Sequence, residues 1–224
     1  MKNSALLIVI VFFYYEVGAQ SHLGLEQYFY VDKSQDVSLV CIGYYQNAQH
    51  WYGEVRYNYE DKKTMSVYFG KTFYKEGELY FAATPMLGLL AGQFTGGSLG
   101  MNLTVTLKKI ILLSQLQYVC STKDRDKNFI LNWSEIKYGF FTFLKSGIVL
   151  QQSTINRSVS TWEVGALICF SYRNWELPVY VFSPAANNRN YVIGINWDWH
   201  HTKRSNNNQV PVPSLQAQRK SALE

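Results

Sequence analysis

Val55, Tyr57 and Tyr59 alternate with Glu54, Arg56, Asn58 and Glu60, so the segment 51–60 repeats every two residues, a period that an amphipathic helix does not give. One face is apolar and the other charged. After a polar turn at 61–63, Met65, Val67, Phe69 and Phe73 alternate with Thr64, Ser66, Tyr68, Gly70 and Thr72, and the two segments read as a hairpin. The same alternation continues through 79–91, 98–107, 110–120, 129–140, 144–153, 161–172, 175–183 and 190–199, with 37–46 and a shorter segment at 27–32 upstream. The long segments are near the roughly 9–11 residues that a tilted strand needs to cross a hydrocarbon layer. About twelve strands are expected on these hairpin signals, or ten if 37–46 folds inward or lies across the opening.

Three places break the pattern. Pro85 and Pro178 cannot donate to a ladder, so each predicts a bulge or a locally open pair. Trp133 and Ile136 cannot both face outward in a regular strand, which predicts a further bulge at 132–137.

Composition agrees with this reading. Aromatic residues are 16% of the chain, with 17 Tyr, yet charged residues are only 17% and mean hydropathy is close to neutral. Alternating apolar and polar positions produce that combination, and a scan for apolar helices misses it. Lys2, the apolar stretch 5–15 and the small residues Gly18 and Ala19 have the order of a secretory signal peptide, with 1–19 removed. A transmembrane helix needs about 20 apolar residues. This run is shorter and is broken by Glu16. The mature chain then suits a single domain. Cys41, Cys120 and Cys169 are odd in number, so at least one stays unpaired within the monomer, and they read as small buried side chains. The net charge of +5 is spread along the chain, without the basic and aromatic stripe of a nucleic-acid groove.

Gly194, Trp197 and Trp199 form a Gly-x-x-aromatic-x-aromatic ending on the last strand. This resembles the C-terminal β-signal of outer-membrane β-barrel proteins of Gram-negative bacteria. The resemblance implies an all-β fold, a closed antiparallel up-and-down transmembrane barrel over 20–199, in the outer membrane. It also implies that Gly194, Trp197 and Trp199 are read by the barrel-assembly machinery during biogenesis. The family's signal commonly ends the chain, whereas here a polar segment at 200–224 follows and is expected to be a disordered periplasmic tail.

Closure has a physical reason. Lipid offers no hydrogen bonds, and among sheets only a closed one pairs every backbone group within it. Trp51, Phe73, Trp162, Tyr172, Trp175, Tyr191, Trp197 and Trp199 fall near strand ends, where amphipathic rings form interfacial girdles. Short connections at 108–109, 141–143 and 173–174 alternate with longer ones at 92–97, 121–128, 154–160 and 184–189, which places the long ones outside the cell.

The functional reading is coarser. Glu54, Arg56, Asn58 and Glu60 share the inward face, and Lys137, Glu163, Asn196 and Asp198 are expected to join them in a polar network in the lumen. His22, His50, His200 and His201 are all expected outside the strands, so no Ser-His or His-Asp set marks a catalytic site, and neither a metal centre nor a cofactor is expected. About twelve strands lie between the roughly 8 that side chains fill and the 16–18 that leave a water channel. With Tyr80, Met86, Gln115, Gln117 and Tyr180 also inward, a narrow pore or a closed barrel with an external surface fits. Lys33, Lys62, Lys63, Lys123, Arg125, Lys127, Arg157 and Arg189 in the outer loops suit contact with outer-membrane lipid and lipopolysaccharide phosphates.

Three roles follow. The first is a non-enzymatic integral outer-membrane protein, either structural, surface-interacting or a narrow channel for small solutes. The second is a lipid-modifying or proteolytic barrel enzyme. The third is a secreted lipocalin-like lipid binder, which requires an apolar lumen and a polar exterior.

Overall fold

The computed structural model describes residues 20–31, 37–155, 159–184 and 189–202. The signal segment 1–19, the tail from 203 onward, Lys33 and Arg157 lie outside these described residues.

Thirteen strands form one antiparallel sheet: β1 Gln20–Val31, β2 Val37–Gln46, β3 Trp51–Tyr57, β4 Thr64–Lys71, β5 Phe73–Lys75, β6 Leu79–Gly92, β7 Gly96–Leu107, β8 Ile110–Ser121, β9 Phe129–Phe141, β10 Leu144–Ile155, β11 Val159–Tyr172, β12 Trp175–Phe182 and β13 Asn190–Thr202. Apart from β4 and β5, which do not pair with each other, each strand pairs with its sequence neighbours, and β1 pairs with β13 from Gln20↔Thr202 to Val31↔Tyr191, which closes the ring. Both β4 and β5 pair with β6, so they are two pieces of one stave in a twelve-stranded barrel. The turns 47–50, 76–78, 108–109, 142–143 and 173–174 share one end of the barrel with both ends of the closed sheet, and the longer loops share the other.

Proline interrupts the ladder without shifting it. Gly70 pairs with Met86 and Phe73 with Ala83, so Pro85 sits opposite the break between β4 and β5, and Thr72 turns its N–H to the His50 carbonyl at 2.9 Å. At Pro178 the pairing of β12 with β13 opens between Glu176 and Val179 in the same register. Both are open pairs rather than bulges. The bulge expected at 132–137 is absent: β9 pairs regularly with β8 there, and the one irregularity against β10 falls between Leu144 and Lys145. Trp133 faces inward and donates from Nε1 to Glu135 Oε1 at 2.8 Å, so Ile136 faces outward with no slip.

The alternation sets two surfaces. On β6 Leu87 and Leu89 are 66% and 75% exposed, while Met86, Gly88 and Leu90 on either side of and between them are buried. Similar outward rows run along every wall, including Phe69, Ile136, Ile148, Ile168 and Ile193. Left in water, each such side chain forgoes roughly 1.5–3 kcal/mol of burial, so the band faces lipid. The inside is the reverse. Arg56 is fully buried there, with Glu54, Glu60, Glu135, Lys137, Lys145, Glu176 and Asp198. This arrangement is the opposite of a lipid carrier's apolar lumen and polar exterior, so the lipocalin-like reading is overturned.

Four local expectations change. β1 begins at Gln20, seven residues ahead of the segment 27–32, and β13 runs to Thr202, into the segment read as tail. His22, His200 and His201 consequently lie in strands. Residues 20–26, Gln-Ser-His-Leu-Gly-Leu-Glu, offer only Leu23 and Leu25 as apolar side chains, too little alternation to signal a strand. No disulfide joins the cysteines, and of the three only Cys169 is buried, with Cys120 exposed and Cys41 intermediate.

Candidate functional site: the lumen

Tyrosine hydroxyls and carboxylates build one wall of the lumen. Tyr28 donates to Glu26 at 2.8 Å, Tyr44 to Asp198 at 2.6 Å, Tyr52 to Glu54 at 2.7 Å and Tyr180 to Glu135 at 2.8 Å. A tyrosine brings an apolar ring to fill space and a polar tip to satisfy a partner, which suits an interior that is packed yet charged. Spacing in the sheet makes the contacts fit. Gly24 on β1 pairs with Tyr44 on one side and Asp198 on the other, and a Cβ there would lie 2.1 Å from Tyr44 Cζ. The missing side chain lets Tyr44 reach across β1 to its carboxylate. Gly194 does the same for Tyr28 and Pro178, whose carbons lie 2.9 and 2.7 Å from where its Cβ would stand.

Arg56 organises the loop end of this wall. Its guanidinium lies between the rings of Tyr59 and Tyr68, 4.5 and 4.4 Å from their centroids. Nε donates to Glu54, and Nη1 donates to Glu60 at 3.3 Å. Glu60 also accepts from Ser66 and Tyr68, each at 2.8 Å. A desolvated charge is tolerated only with such a set of partners. Two further pairs follow the same rule, Lys137 Nζ to Glu135 Oε2 at 2.7 Å and Lys145 Nζ to Glu176 Oε1 at 2.6 Å. Near the turn end, His22 Nε2 lies 2.6 Å from Asp198 Oδ1, the oxygen that also receives the Tyr44 hydroxyl. In these groups the carboxylates Glu26, Glu54, Glu60, Glu135, Glu176 and Asp198 outnumber the bases Arg56, Lys137 and Lys145 by six to three.

The opposite wall, β7 and β8, is built differently. Asn102, Thr104, Thr106, Gln115 and Gln117 face inward there, all neutral and mostly short. Between the walls lies a cavity of about 110 Å³, lined by Tyr28, Tyr44, Tyr52 and Glu54 from β1–β3, by Asn102, Thr104 and Gln115 from β7 and β8, and by Glu135 from β9 next to β8. At about 10–15 Å³ for each, it holds several water molecules. The loop 58–63 enters this space. Asn58, at φ 59°, turns the chain inward, and Tyr59 donates across the lumen to Gln115 Oε1 at 2.8 Å.

The predicted network is therefore partly assembled. Glu54, Arg56 and Glu60 meet in one cluster, Asn196 and Asp198 join the tyrosine wall from β13, and Lys137 pairs with Glu135 on β9, next to β8. Asn58 is the exception: it is partly exposed in the loop, donates from Nδ2 to the Leu39 carbonyl at 3.0 Å and accepts from Lys63 N–H. The strand ends at Tyr57, so strand parity no longer applies to it. Glu163 is half-buried toward the loop end and accepts from Asn190 at 3.3 Å, apart from the other acids. Gly194 faces the lumen, with Trp197 and Trp199 on the outward face, Trp197 against Trp175 at 6.4 Å between ring centroids. The site residues missed were His22, Glu26, Tyr28, Tyr44, Tyr52, Glu135, Lys145 and Glu176. Parity would have found Glu135, two residues before Lys137, and Glu176 in its strand, whereas Glu26 and His22 lay ahead of the expected first strand.

No protein-family model matches the chain, and no curated protein matches it. Among solved structures it is similar to the KdgM porin, with a TM-score of 0.58 and 14% identity over 79% of this chain and 99% of that one. It is also similar to the KdgM porin in complex with disordered oligogalacturonate, with a TM-score of 0.55 and 13% identity over 80% of this chain and 99% of that one. The likeness is one of fold. The chain has the closed, porin-like β-barrel architecture of outer-membrane proteins.

Proposed function

We propose that this protein is a narrow, non-enzymatic channel for small solutes in the outer membrane, its passage running between the tyrosine wall and the β7–β8 wall. The observation that carries the reading is the cavity between those walls, in a barrel whose outer surface is apolar on all sides. A passage this small excludes polymers in compact form and admits small polar solutes in single file. Tyr59 stands across it, so conduction requires the loop 58–63 to yield. The solute is not carried over from the oligogalacturonate complex, because that chain of carboxylated sugars is ill matched to a lumen rich in carboxylates.

The rest of the proposal concerns placement. Residues 1–19 direct export and are removed, the barrel-assembly machinery reads Gly194, Trp197 and Trp199, and loop cations such as Lys62, Lys63, Lys123 and Arg189 meet lipopolysaccharide phosphates. The Asp198 oxygen beside His22 is already taken by the Tyr44 hydroxyl, which supports a structural use of that pair rather than a catalytic one. Recording from refolded protein in a planar bilayer tests the proposal. Steady unitary conductance supports it, and silence across voltages and pH overturns it.

A further inference from the structure

We infer that the passage selects for small cations, a substrate class that rests on the channel reading just given. The cavity itself is faced by the carboxylates of Glu26, Glu54, Glu135 and Glu176 and by a single base, Lys137. Including the groups bonded to these at either end, six carboxylates oppose Arg56, Lys137 and Lys145, and an excess of negative charge remains even with His22 protonated.

Tyrosine is what makes that excess tenable. A carboxylate can be held ionised either by a cation, which cancels its field, or by a hydroxyl donor, which stabilises it and leaves the field in place. Tyr28, Tyr52 and Tyr180 donate to three of the four cavity carboxylates. Glu54, Glu135 and Glu176 are also paired with Arg56, Lys137 and Lys145, so it is the excess of carboxylates over bases across the group, held without further cations, whose field reaches a passing ion.

Unmet acceptors point the same way. Asn196 donates from Nδ2 to the Tyr28 hydroxyl, and that hydroxyl donates onward to Glu26, so the relay fixes which end of the amide is the carbonyl. Its Oδ1 is buried and has no hydrogen-bond partner in the protein, and neither has Asn102 Oδ1 on the facing wall. Both residues line the cavity. Buried carbonyl oxygens across a gap from carboxylates suit a cation or an ammonium group and offer an anion nothing. The lysines of the outer loops do not reverse this sign. Lys62, Lys63, Lys123 and Lys127 are exposed and screened over about 10 Å at 0.1 M salt, whereas the lumen charges lie between low-dielectric walls that focus their field.

Reversal potentials in a tenfold KCl gradient test the inference, with the full barrel refolded into a planar bilayer. The wild type is expected to favour K⁺ over Cl⁻ by about tenfold, the low end of what a focused field achieves. Glu26→Gln keeps the shape of the side chain and is expected to lower that ratio severalfold. Asn102→Lys, which adds a cation on the wall outside the tyrosine network, is expected to bring it to unity or invert it. Conduction with no preference or with preference for Cl⁻ overturns the inference and leaves the channel standing. A silent barrel overturns both.

Discussion

The two walls of the lumen meet the same requirement, a polar interior, by opposite means. On the tyrosine wall large side chains fill the space and each polar tip is tied to a charge, as with Tyr44 and Asp198 or Arg56 between Tyr59 and Tyr68. Along β7 and β8 short neutral side chains leave a gap, and Asn102, Thr106 and Gln117 carry polar atoms without protein partners. A densely bonded network resists rearrangement even though Arg56 Nη2 and Asn196 Oδ1 lack partners in it, and a wall of neutral side chains with few bonds is the one that gives way to solvent or solute. The first wall holds the barrel together and charges it. The second leaves the path.

The largest effect is expected from breaking the first wall at its centre. Arg56→Ala leaves Glu54 and Glu60 desolvated and unpaired, a change that costs about 3–5 kcal/mol and lowers the temperature at which the barrel loses its heat-modifiable gel mobility. Adding Glu54→Gln and Glu60→Gln to it recovers part of the loss, which distinguishes stranded charge from lost packing. Next comes Gly24→Val, whose Cβ falls within the ring of Tyr44. Overpacking of this kind costs about 1–3 kcal/mol, and the cost shrinks in a Tyr44→Ala background because the clash has gone.

A smaller but sharper contrast uses one substitution on two tyrosines. Tyr44→Phe removes a hydrogen bond within the fixed wall, so thermal stability falls by about 1.5–3 kcal/mol for a bond to a charged acceptor while conductance stays the same. Tyr59→Phe releases the bridge to Gln115, so conductance or open time rises with little change in stability. Equal behaviour of the two variants would erase the distinction between the walls.

The pattern of residues carried the architecture further than the site. Alternation located twelve staves because a lipid-facing row must be apolar at every second position, as Met65, Val67 and Phe69 are. It missed the first seven residues of β1, where Gly24 and Glu26 are inward positions chosen for contacts with β2 and β13 rather than for polarity contrast. Parity also assumed that strands continue: Asn58 and Glu60 fall past the end of β3, and only the inward fold of the loop returns Glu60 to Arg56. Of the tyrosine and carboxylate pairs, Tyr28 with Glu26 and Tyr52 with Glu54 are two residues apart on one face, whereas Tyr44 with Asp198 is 154 positions apart and Tyr180 with Glu135 is 45, and no local signal encodes those two.

The smallest expected effect lies at the turn end. Burial, and then the charge of Lys71, lower the His50 imidazole below its usual value. The unfolded chain therefore binds this proton more readily, and stability falls as pH drops through about 6.5. His50→Gln is expected to flatten that part of the stability profile slightly, read as the unfolding midpoint between pH 5 and pH 7.

Cysteine accessibility during bilayer recording tests the placement of the path most directly. With Cys41 and Cys120 replaced by serine, Asn102→Cys is predicted to react with a small charged methanethiosulfonate reagent and lose current, while Ser66→Cys, beneath the Arg56 cluster, is predicted to stay unmodified. Block through Ser66→Cys with Asn102→Cys inert would put the path through the wall assigned here to structure.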